Sequence, residues 1–222
     1  MRFSALIVLA LAGVVLAPAQ PQQGQLDASP TLFSVLAAIN AAGFDGDINS
    51  PSNHPLREAV RKYVAAKNPP VLADLKRFFS AHRQGSPALE MSQYVSFALS
   101  STGAPDYGLR FQASEIPPDV RELEGLSELM ARFHREVEMD ELWKRVQPAV
   151  EEALARYQGP VVKAVTEVNA YLRHATSGAE PRRFQIYIDL AGAPNQIHAR
   201  TYAGDYFIVL TPSAEPQADD IQ

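Results

Sequence analysis

Five histidines are the residues of this chain best suited to metal or proton chemistry: His54, His82, His134, His174 and His198. No two of them have the spacing of a zinc motif such as HExxH or HxH. The nearest approach to a ligand pair is His134 with Glu138, four residues apart and therefore on one side of a helix. That side is not the apolar one, so an exposed histidine beside acidic residues is the better interpretation.

Nucleophilic and nucleotide chemistry lack their usual motifs as well. The chain has no cysteine, no GxSxG turn and no glycine-rich phosphate loop. Its carboxylates fall on helix faces, where a solvated surface explains them. The sequence therefore assigns no catalytic, cofactor-binding or metal-binding residue, and no cofactor.

One loop imitates the start of a calcium-binding loop. Asp45, Asp47 and Asn49 place oxygen ligands at alternate positions. However, the sixth position is Ser50 rather than glycine, and the twelfth is Leu56 rather than a bidentate glutamate. We interpret the loop as a turn followed by a helix cap.

A second arrangement lies near the carboxyl end. His198 and Tyr202 fall on one face of an expected strand, where they would line a cleft in a hydrolase built from dispersed residues. A surface histidine on a half-solvated sheet is the favoured interpretation. Trp143 is expected in the core or at an interface.

Helical periodicity dominates the chain from Thr31 to Leu172. The strongest pattern recurs at steps of three and four residues and predicts one buried helix face: Leu123, Leu126, Met130, Phe133 and Val137. Pro148 should bend the next helix, and Gly159-Pro160 should end it and start another. Helices in succession joined by short turns indicate antiparallel helical packing.

The period then changes from about 3.6 to 2. Alternation in RFQIYIDL and IHARTY predicts two half-buried strands, and the more uniformly apolar YFIVLTP predicts a third. The fold class is therefore α+β, mainly helical, with a small antiparallel three-stranded sheet near the C-terminus.

The first residues predict export. Arg2 precedes an apolar run of about 14 residues, shorter than the roughly 20 that span a bilayer, and Ala17-Pro18-Ala19 suits signal peptidase. We expect a signal peptide over residues 1–19, a secreted or periplasmic location, and no membrane span after cleavage. The net charge of −5 and the scattered Lys and Arg disfavour nucleic acid as a partner.

The chain divides into four expected regions. The signal peptide is followed by a flexible leader over residues 20–30, which is rich in Gln and Pro. An N-terminal helical region covers 31–102, and a segment full of Gly and Pro marks a boundary. Residues 117–222 then form helices followed by the antiparallel sheet.

Three stretches together resemble a known family: INAAGFDGDINSPSNHPLREAVR, LWKRVQPAVEEALARYQGPVVKAVTEVNAYLR and RRFQIYIDLAGAPNQIHARTYAGDYFIVLTPSAEPQADDI. They resemble the amino-terminal part of secreted bacterial proteins that look like zinc metallopeptidases of the gluzincin type. The resemblance implies a helical region and an antiparallel sheet ahead of a helix with paired metal-binding histidines. Zinc is implied for the full-length family only.

This chain departs from that pattern. Asp219-Asp220-Ile221 resembles the first turn of the metal-binding helix, and no zinc ligand or general-base glutamate carries over to any position. We therefore expect an N-terminal portion of a gluzincin-like protein, inactive as it stands. The alternative is a complete, non-catalytic binding module whose sheet edge or helical groove engages a peptide or protein partner.

Overall fold

A computed structural model describes residues 25–46, 49–112, 114–172, 184–202 and 205–214. The predicted signal peptide, His174, Asp47 and the acidic turn at Asp219 lie outside these residues.

The described residues form helices and a sheet. The seven helices of this part are α1 (Pro30–Ala42), α2 (Pro55–Lys67), α3 (Val71–Ala81), α4 (Pro87–Ser100), α5 (Pro118–Arg121), α6 (Leu126–Val137) and α7 (Met139–Leu172). Its four strands are β1 (Gln25–Asp27), β2 (Phe184–Ile188), β3 (Gln196–Tyr202) and β4 (Asp205–Thr211). The molecule is thus mainly helical with a small sheet towards the C-terminus, which confirms the predicted fold class.

Proline and a capping side chain together start three of the helices. In α1, Pro30 occupies the first turn and Ser29 Oγ accepts a hydrogen bond from the Leu32 amide at 3.2 Å. The same arrangement recurs in α2 with His54 as the cap and in α4 with Ser86 as the cap. These local signals explain why the helix starts could be predicted.

The predicted apolar stripe around α6 is confirmed. Leu123, Leu126, Met130, Phe133 and Val137 are all at most 3% exposed. Because side chains at steps of three and four lie on one side of a helix, this stripe packs as a unit against the core.

Helix α7 differs from its prediction, because Gly159-Pro160 does not end it. Tyr157 and Val161, on either side of these residues, are 4% and 2% exposed. They keep both halves of the helix packed on the core, so tertiary packing overrides a local preference for a break.

One hydrophobic cluster extends across the predicted boundary between residues 102 and 117. Helices α1 and α3 both contact α6, which follows that boundary. The boundary segment itself buries Tyr107 and Ile116 in this cluster. The helical regions before and after the segment therefore share one core.

The sheet has four strands in the order β1-β2-β4-β3 and is mixed, which corrects the predicted antiparallel three-stranded arrangement. β2 is parallel to both β1 and β4, and only β3 and β4 are antiparallel. The loop after β2 carries the chain past the end of β4 to its far side, so β4 lies between β2 and β3. β1 comes from residues 25–27, which were expected in the flexible leader and instead pair with β2.

Candidate functional site

Strand β3 has the opposite orientation to the one that its composition suggests. Ile197 is 61% exposed, whereas His198 and Tyr202 are 8% and 7% exposed. Ala199 and Thr201 are exposed as well. The strand therefore points Ile197, Ala199 and Thr201 outward and its larger polar side chains inward. The prediction that His198 lies on the surface is wrong.

Helix α4 explains this orientation, because it offers hydroxyl groups to the inner face of β3. Arg200 Nε donates a hydrogen bond to Ser96 Oγ at 2.6 Å, and Ser96 Oγ donates to the Ser92 carbonyl at 2.9 Å. Tyr202 stacks on Phe111 with ring centroids 5.9 Å apart. These contacts attach the inner face of β3 to the helical layer.

His198 is held neutral in this environment. Burial, and secondly the charge of Arg200, lower the pKa of His198 to about 4. Its Nε2 lies 3.2 Å from Gln196 Oε1. Because a general base works best when its pKa lies near the operating pH, this histidine is poorly suited to that role.

His198 and Tyr202 do share one face, as the alternation predicted, but the face is covered rather than open. Arg200 lies between them in the strand and is tied to α4. The structure therefore buries both members of this pair of residues.

The backbone of β3 forms an edge of the sheet, and its outward side chains Ile197, Ala199 and Thr201 lie on the exposed face beside that edge. We call this backbone edge together with the three side chains the open edge of β3. Within the described chain β3 pairs only with β4, so one side of its backbone has no strand beside it. Leu210 and Ile208 of β4 lie opposite Ile197 and Ala199 and are half-buried. None of the three outward side chains is charged, and the Arg200 guanidinium donates a hydrogen bond to the Ala199 carbonyl at 2.8 Å.

The loop that leads from β2 to β3 is fixed by a buried carboxylate. Asp189 Oδ1 accepts hydrogen bonds from the amides of Ala191 at 2.7 Å and Gly192 at 3.0 Å. Burial raises the pKa of Asp189 to about 6, although these two bonds lower it. Thr211 Oγ1 also donates to the Ala193 carbonyl at 2.5 Å, so the loop is tied to the end of β4.

Gly192 in this loop has no room for a side chain. A Cβ atom there would lie 2.8 Å from Thr211 Cγ2 and 3.2 Å from Leu36 Cδ1. Sequence reasoning treated this segment as a plain connection. An aspartate two and three residues before the amides that it binds is the signal that could have identified the turn.

His134 and Glu138, the nearest approach to a metal-ligand pair, bind different partners. His134 Nδ1 lies 2.9 Å from the Tyr107 hydroxyl, and its Nε2 lies 3.2 Å from Asp140 Oδ1. Glu138 forms an ion pair with Lys67 at 2.7 Å. The histidine thus links the 103–110 loop to the start of α7.

Asp45, the first residue of the calcium-like loop, forms an ion pair with Arg57 at 2.6 Å. Both side chains are buried, at 0% and 1% exposure. Arg57 also donates to the carbonyl of Gly46 and to Asn53 Oδ1, so it holds the loop onto α2. These contacts and the His54 cap agree with the interpretation as a turn and a helix cap.

Arg57 was missed by sequence reasoning. Its spacing to Val60 and Val64 places it on the buried stripe of α2, and all three residues are 0% exposed. Arg57 precedes Val60 by three residues and Val64 by seven, so the helical spacing places it on the apolar face. Together with an aspartate in the preceding loop, this position indicates a buried ion pair.

The remaining candidates serve packing. Trp143 lies beside Phe33 with ring centroids 5.2 Å apart, as expected for a core residue. His82 stacks on Phe78 and its Nδ1 lies 2.8 Å from the Phe78 carbonyl.

Among the described residues, no group of three or more His, Asp or Glu side chains is arranged to hold a metal ion. None of the helices in this part of the chain is both long enough and apolar enough to cross a membrane.

Comparison with models of protein families, with curated proteins and with solved structures found no match to this chain. The resemblance to gluzincin-like proteins therefore stays a prediction, and the open edge of β3 is the candidate site on which a function can be argued.

Proposed function

We propose that this chain is an exported protein of gluzincin-like build that acts as a non-catalytic binding module and holds an extended peptide or protein segment against the open edge of β3. The observation that carries the proposal is the two-sided character of this strand. Its inner face is attached to α4, its outer side chains are exposed, and within the described residues no strand pairs with one side of its backbone.

The attachment of the inner face supports binding because it fixes the strand before a partner arrives. The bond from Arg200 to Ser96 and the stacking of Tyr202 on Phe111 join β3 to elements about 100 residues earlier in the chain. A partner would then lose its own conformational freedom on binding, but the strand would lose little.

The chemistry of the outer side supports an extended partner. Unpaired backbone N–H and C=O groups on an edge strand are a template for another strand, and proteins usually block such edges with charges, proline or a bulge. From Gln196 to Tyr202 there is no proline, and the one charged side chain, Arg200, donates through Nε to Ser96 Oγ and through one terminal nitrogen to the Ala199 carbonyl at 2.8 Å. The Ala199 carbonyl is thus already bonded, and the proposed partner would use the other backbone groups along the strand. The partner favoured by this surface is a strand with small or β-branched side chains at alternate positions.

A peptide titration tests this proposal. The probes are eight-residue peptides with alternating Val and Thr, and the signal is the chemical shift of the β3 amides in 15N-labelled protein. We expect saturable shifts concentrated at Ile197, Ala199 and Thr201. The same peptides with one central residue replaced by proline serve as controls, because proline cannot donate the required hydrogen bond.

Substitution supplies the matched comparison. Ile197→Lys places a charge on the open edge and should abolish the shifts. Leu89→Lys is the control, because Leu89 is 63% exposed, close to the 61% of Ile197, but lies on α4 away from β3. The proposal fails if the wild type gives no saturable shifts, or if both lysine variants bind the peptides equally.

The non-catalytic part of the proposal has its own measurement. Zinc content of the purified chain, determined by atomic emission after dialysis, is expected to be far below one ion per molecule. A stoichiometric, EDTA-sensitive zinc ion would contradict it, whatever the outcome of the peptide titration.

A further inference from the structure

A cavity of about 340 Å³ lies where the end of α4, the segment before α5 and the start of α6 meet. Its lining includes the apolar side chains of Phe97, Leu109, Val120 and Leu123 and the charged residues Arg121 and Glu124. This volume is near the lower end of the range for small-molecule sites, so it suits a ligand of about a dozen non-hydrogen atoms.

The floor of the cavity is apolar and buried. Phe97, Val120 and Leu123 are at most 3% exposed and belong to the main core. Leu109, in contrast, is 39% exposed although it is a large apolar side chain. An apolar group entering the cavity would cover Leu109 and exclude water from the floor.

The rim carries one charge of each sign. Arg121 and Glu124 both line the cavity and are exposed. Within the described part of the chain, neither forms an ion pair with another residue. Both charges are therefore available to a ligand at the mouth of the cavity.

Gly125 lies between these charges and the first turn of α6. Its φ of 89° is in the left-handed region, and as the residue before α6 it supplies no side-chain cap. With no side chain on Gly125, the mouth of the cavity is open to a ligand approaching the rim.

We infer that this cavity binds an apolar α-amino acid in its zwitterionic form, with the carboxylate at Arg121, the ammonium at Glu124 and the side chain on the apolar floor. Charge complementarity decides between ligand classes. A fatty acid would pair its carboxylate with Arg121 but place that anion near the carboxylate of Glu124. An apolar amine would pair its ammonium with Glu124 but place that cation near Arg121. The cavity volume favours a single amino acid of the size of leucine or phenylalanine.

The expected affinity is modest. Ion pairs formed by exposed side chains contribute little, and a ligand this small buries limited apolar area. We therefore expect a dissociation constant on the order of 1 mM. The site is separate from the open edge of β3 and does not rest on the proposed function.

The test is a titration of 15N-labelled protein with L-phenylalanine. Two analogues remove one charge each: 3-phenylpropanoate lacks the ammonium group, and phenethylamine lacks the carboxylate. We expect saturable shifts of the amides of Leu109, Leu123 and Gly125, with both analogues binding about two- to fivefold more weakly. Absence of saturable shifts at these amides, or equal affinity for all three compounds, would overturn the inference.

Substitutions at Arg121 and Glu124 test which group of the ligand each side chain binds. Arg121→Gln should weaken binding of phenylalanine and of phenylpropanoate but not of phenethylamine, and Glu124→Gln should show the opposite selectivity. The matched controls are Arg135→Gln and Glu151→Gln, exposed residues that do not line the cavity. The four positions are on the surface, and spectra without ligand verify that each variant is folded. The assignment is wrong if the rim variants behave like the controls.

Discussion

Replacing Asp189 with asparagine should change how stability depends on pH, so that the variant gains stability relative to the wild type as the pH rises from acid to alkaline values. The Asp189 residue is 3% exposed, and its Oδ1 accepts two backbone hydrogen bonds. Asparagine has the same shape and keeps an oxygen acceptor at this position, so the loop bonds survive while the buried charge is removed.

The magnitude follows from the raised pKa. Its ordinary value is 3.8 and burial raises it to about 6, so the native state disfavours the ionised form. At 1.36 kcal/mol per pKa unit, the difference between these two pKa values lowers the free energy of unfolding of the wild type by about 3 kcal/mol above pH 6. Below pH 3.8 the carboxyl group is protonated in both the folded and the unfolded chain, and the penalty vanishes.

The sign of the pH dependence is therefore defined. For an acid with a raised pKa, stability falls as pH rises from 3.8 to about 6. The asparagine side chain of the variant does not titrate, so the stability difference between variant and wild type should grow by about 2 kcal/mol between about pH 4.5 and 8. A pH-independent cost of about 1–3 kcal/mol is expected if the new amide N–H groups find no partner, and it shifts the whole curve without changing its slope.

Urea unfolding followed by the fluorescence of Trp143, the one tryptophan of the chain, measures this difference at several pH values. Asp106→Asn is the control, because Asp106 is exposed and its variant should show no such growth. A stability difference for Asp189→Asn that is flat from pH 4.5 to 8 would refute the reasoning, since it would mean that Asp189 stays ionised in the fold. Asp189→Ala should be less stable than Asp189→Asn at every pH, because it leaves two buried amides unpaired.

Three further predictions concern other buried groups. Arg57→Met leaves the Asp45 carboxylate buried without its partner, so chemical denaturation should give a loss of about 3–5 kcal/mol at neutral pH; a loss below about 1 kcal/mol would contradict a buried pair. His198 should titrate near pH 4 by imidazole NMR, and through its lowered pKa the protein should lose stability as pH falls from 6.5 towards 4, a slope that His198→Gln removes. Gly192→Ala should lower the free energy of unfolding by about 1–3 kcal/mol, because the new methyl group overlaps Thr211 and Leu36. Gly159→Ala should raise it by about 0.5–1 kcal/mol, because the site lies in the middle of α7 and has nothing within 4 Å. Equal thermal melting points for the two alanine variants would contradict this contrast.

Much of the helical layer could be predicted because its signals are local. The stripe on α6 repeats every three or four residues, and Pro30 and Ser29 mark the start of α1 within two adjacent positions. Such features depend on neighbours along the chain, which the sequence displays directly. The continuous α7 was not predicted, because the packing of Tyr157 and Val161 on distant residues decides whether the helix continues.

Only part of the sheet could be predicted, because alternation along a strand is a local signal and the pairing of strands is not. Alternation identifies β2, β3 and β4 as strands, but it does not say which strands are neighbours. In β3, Ile197 is the most apolar residue of its strand face and still points outward, because Arg200 bonds to Ser96, 104 residues earlier. Strand order and facing depend on such distant partners, and β1 was missed because three residues are too few to display a period.

The candidate surfaces were harder to predict than the fold. The sequence correctly placed His198 and Tyr202 on one face, but only α4 determines that this face is buried. The two rim charges, Arg121 and Glu124, meet apolar side chains from other parts of the chain, Phe97 and Leu109, around one cavity. No spacing rule connects these four residues, because a cavity is created by packing between elements.

The parallel pairing of β1 with β2 has a consequence for the order in which the molecule can assemble. Gln25 pairs with Gln185, so about 160 residues must be made before β1 meets its partner. Contacts this distant form late, because the entropy of closing so long a loop is lost before they stabilise the chain. While the chain is being made, the helices meet their partners earlier than the strands do. Until residues 25–27 dock, the outer edge of β2 is a second strand edge at which unfinished molecules can associate.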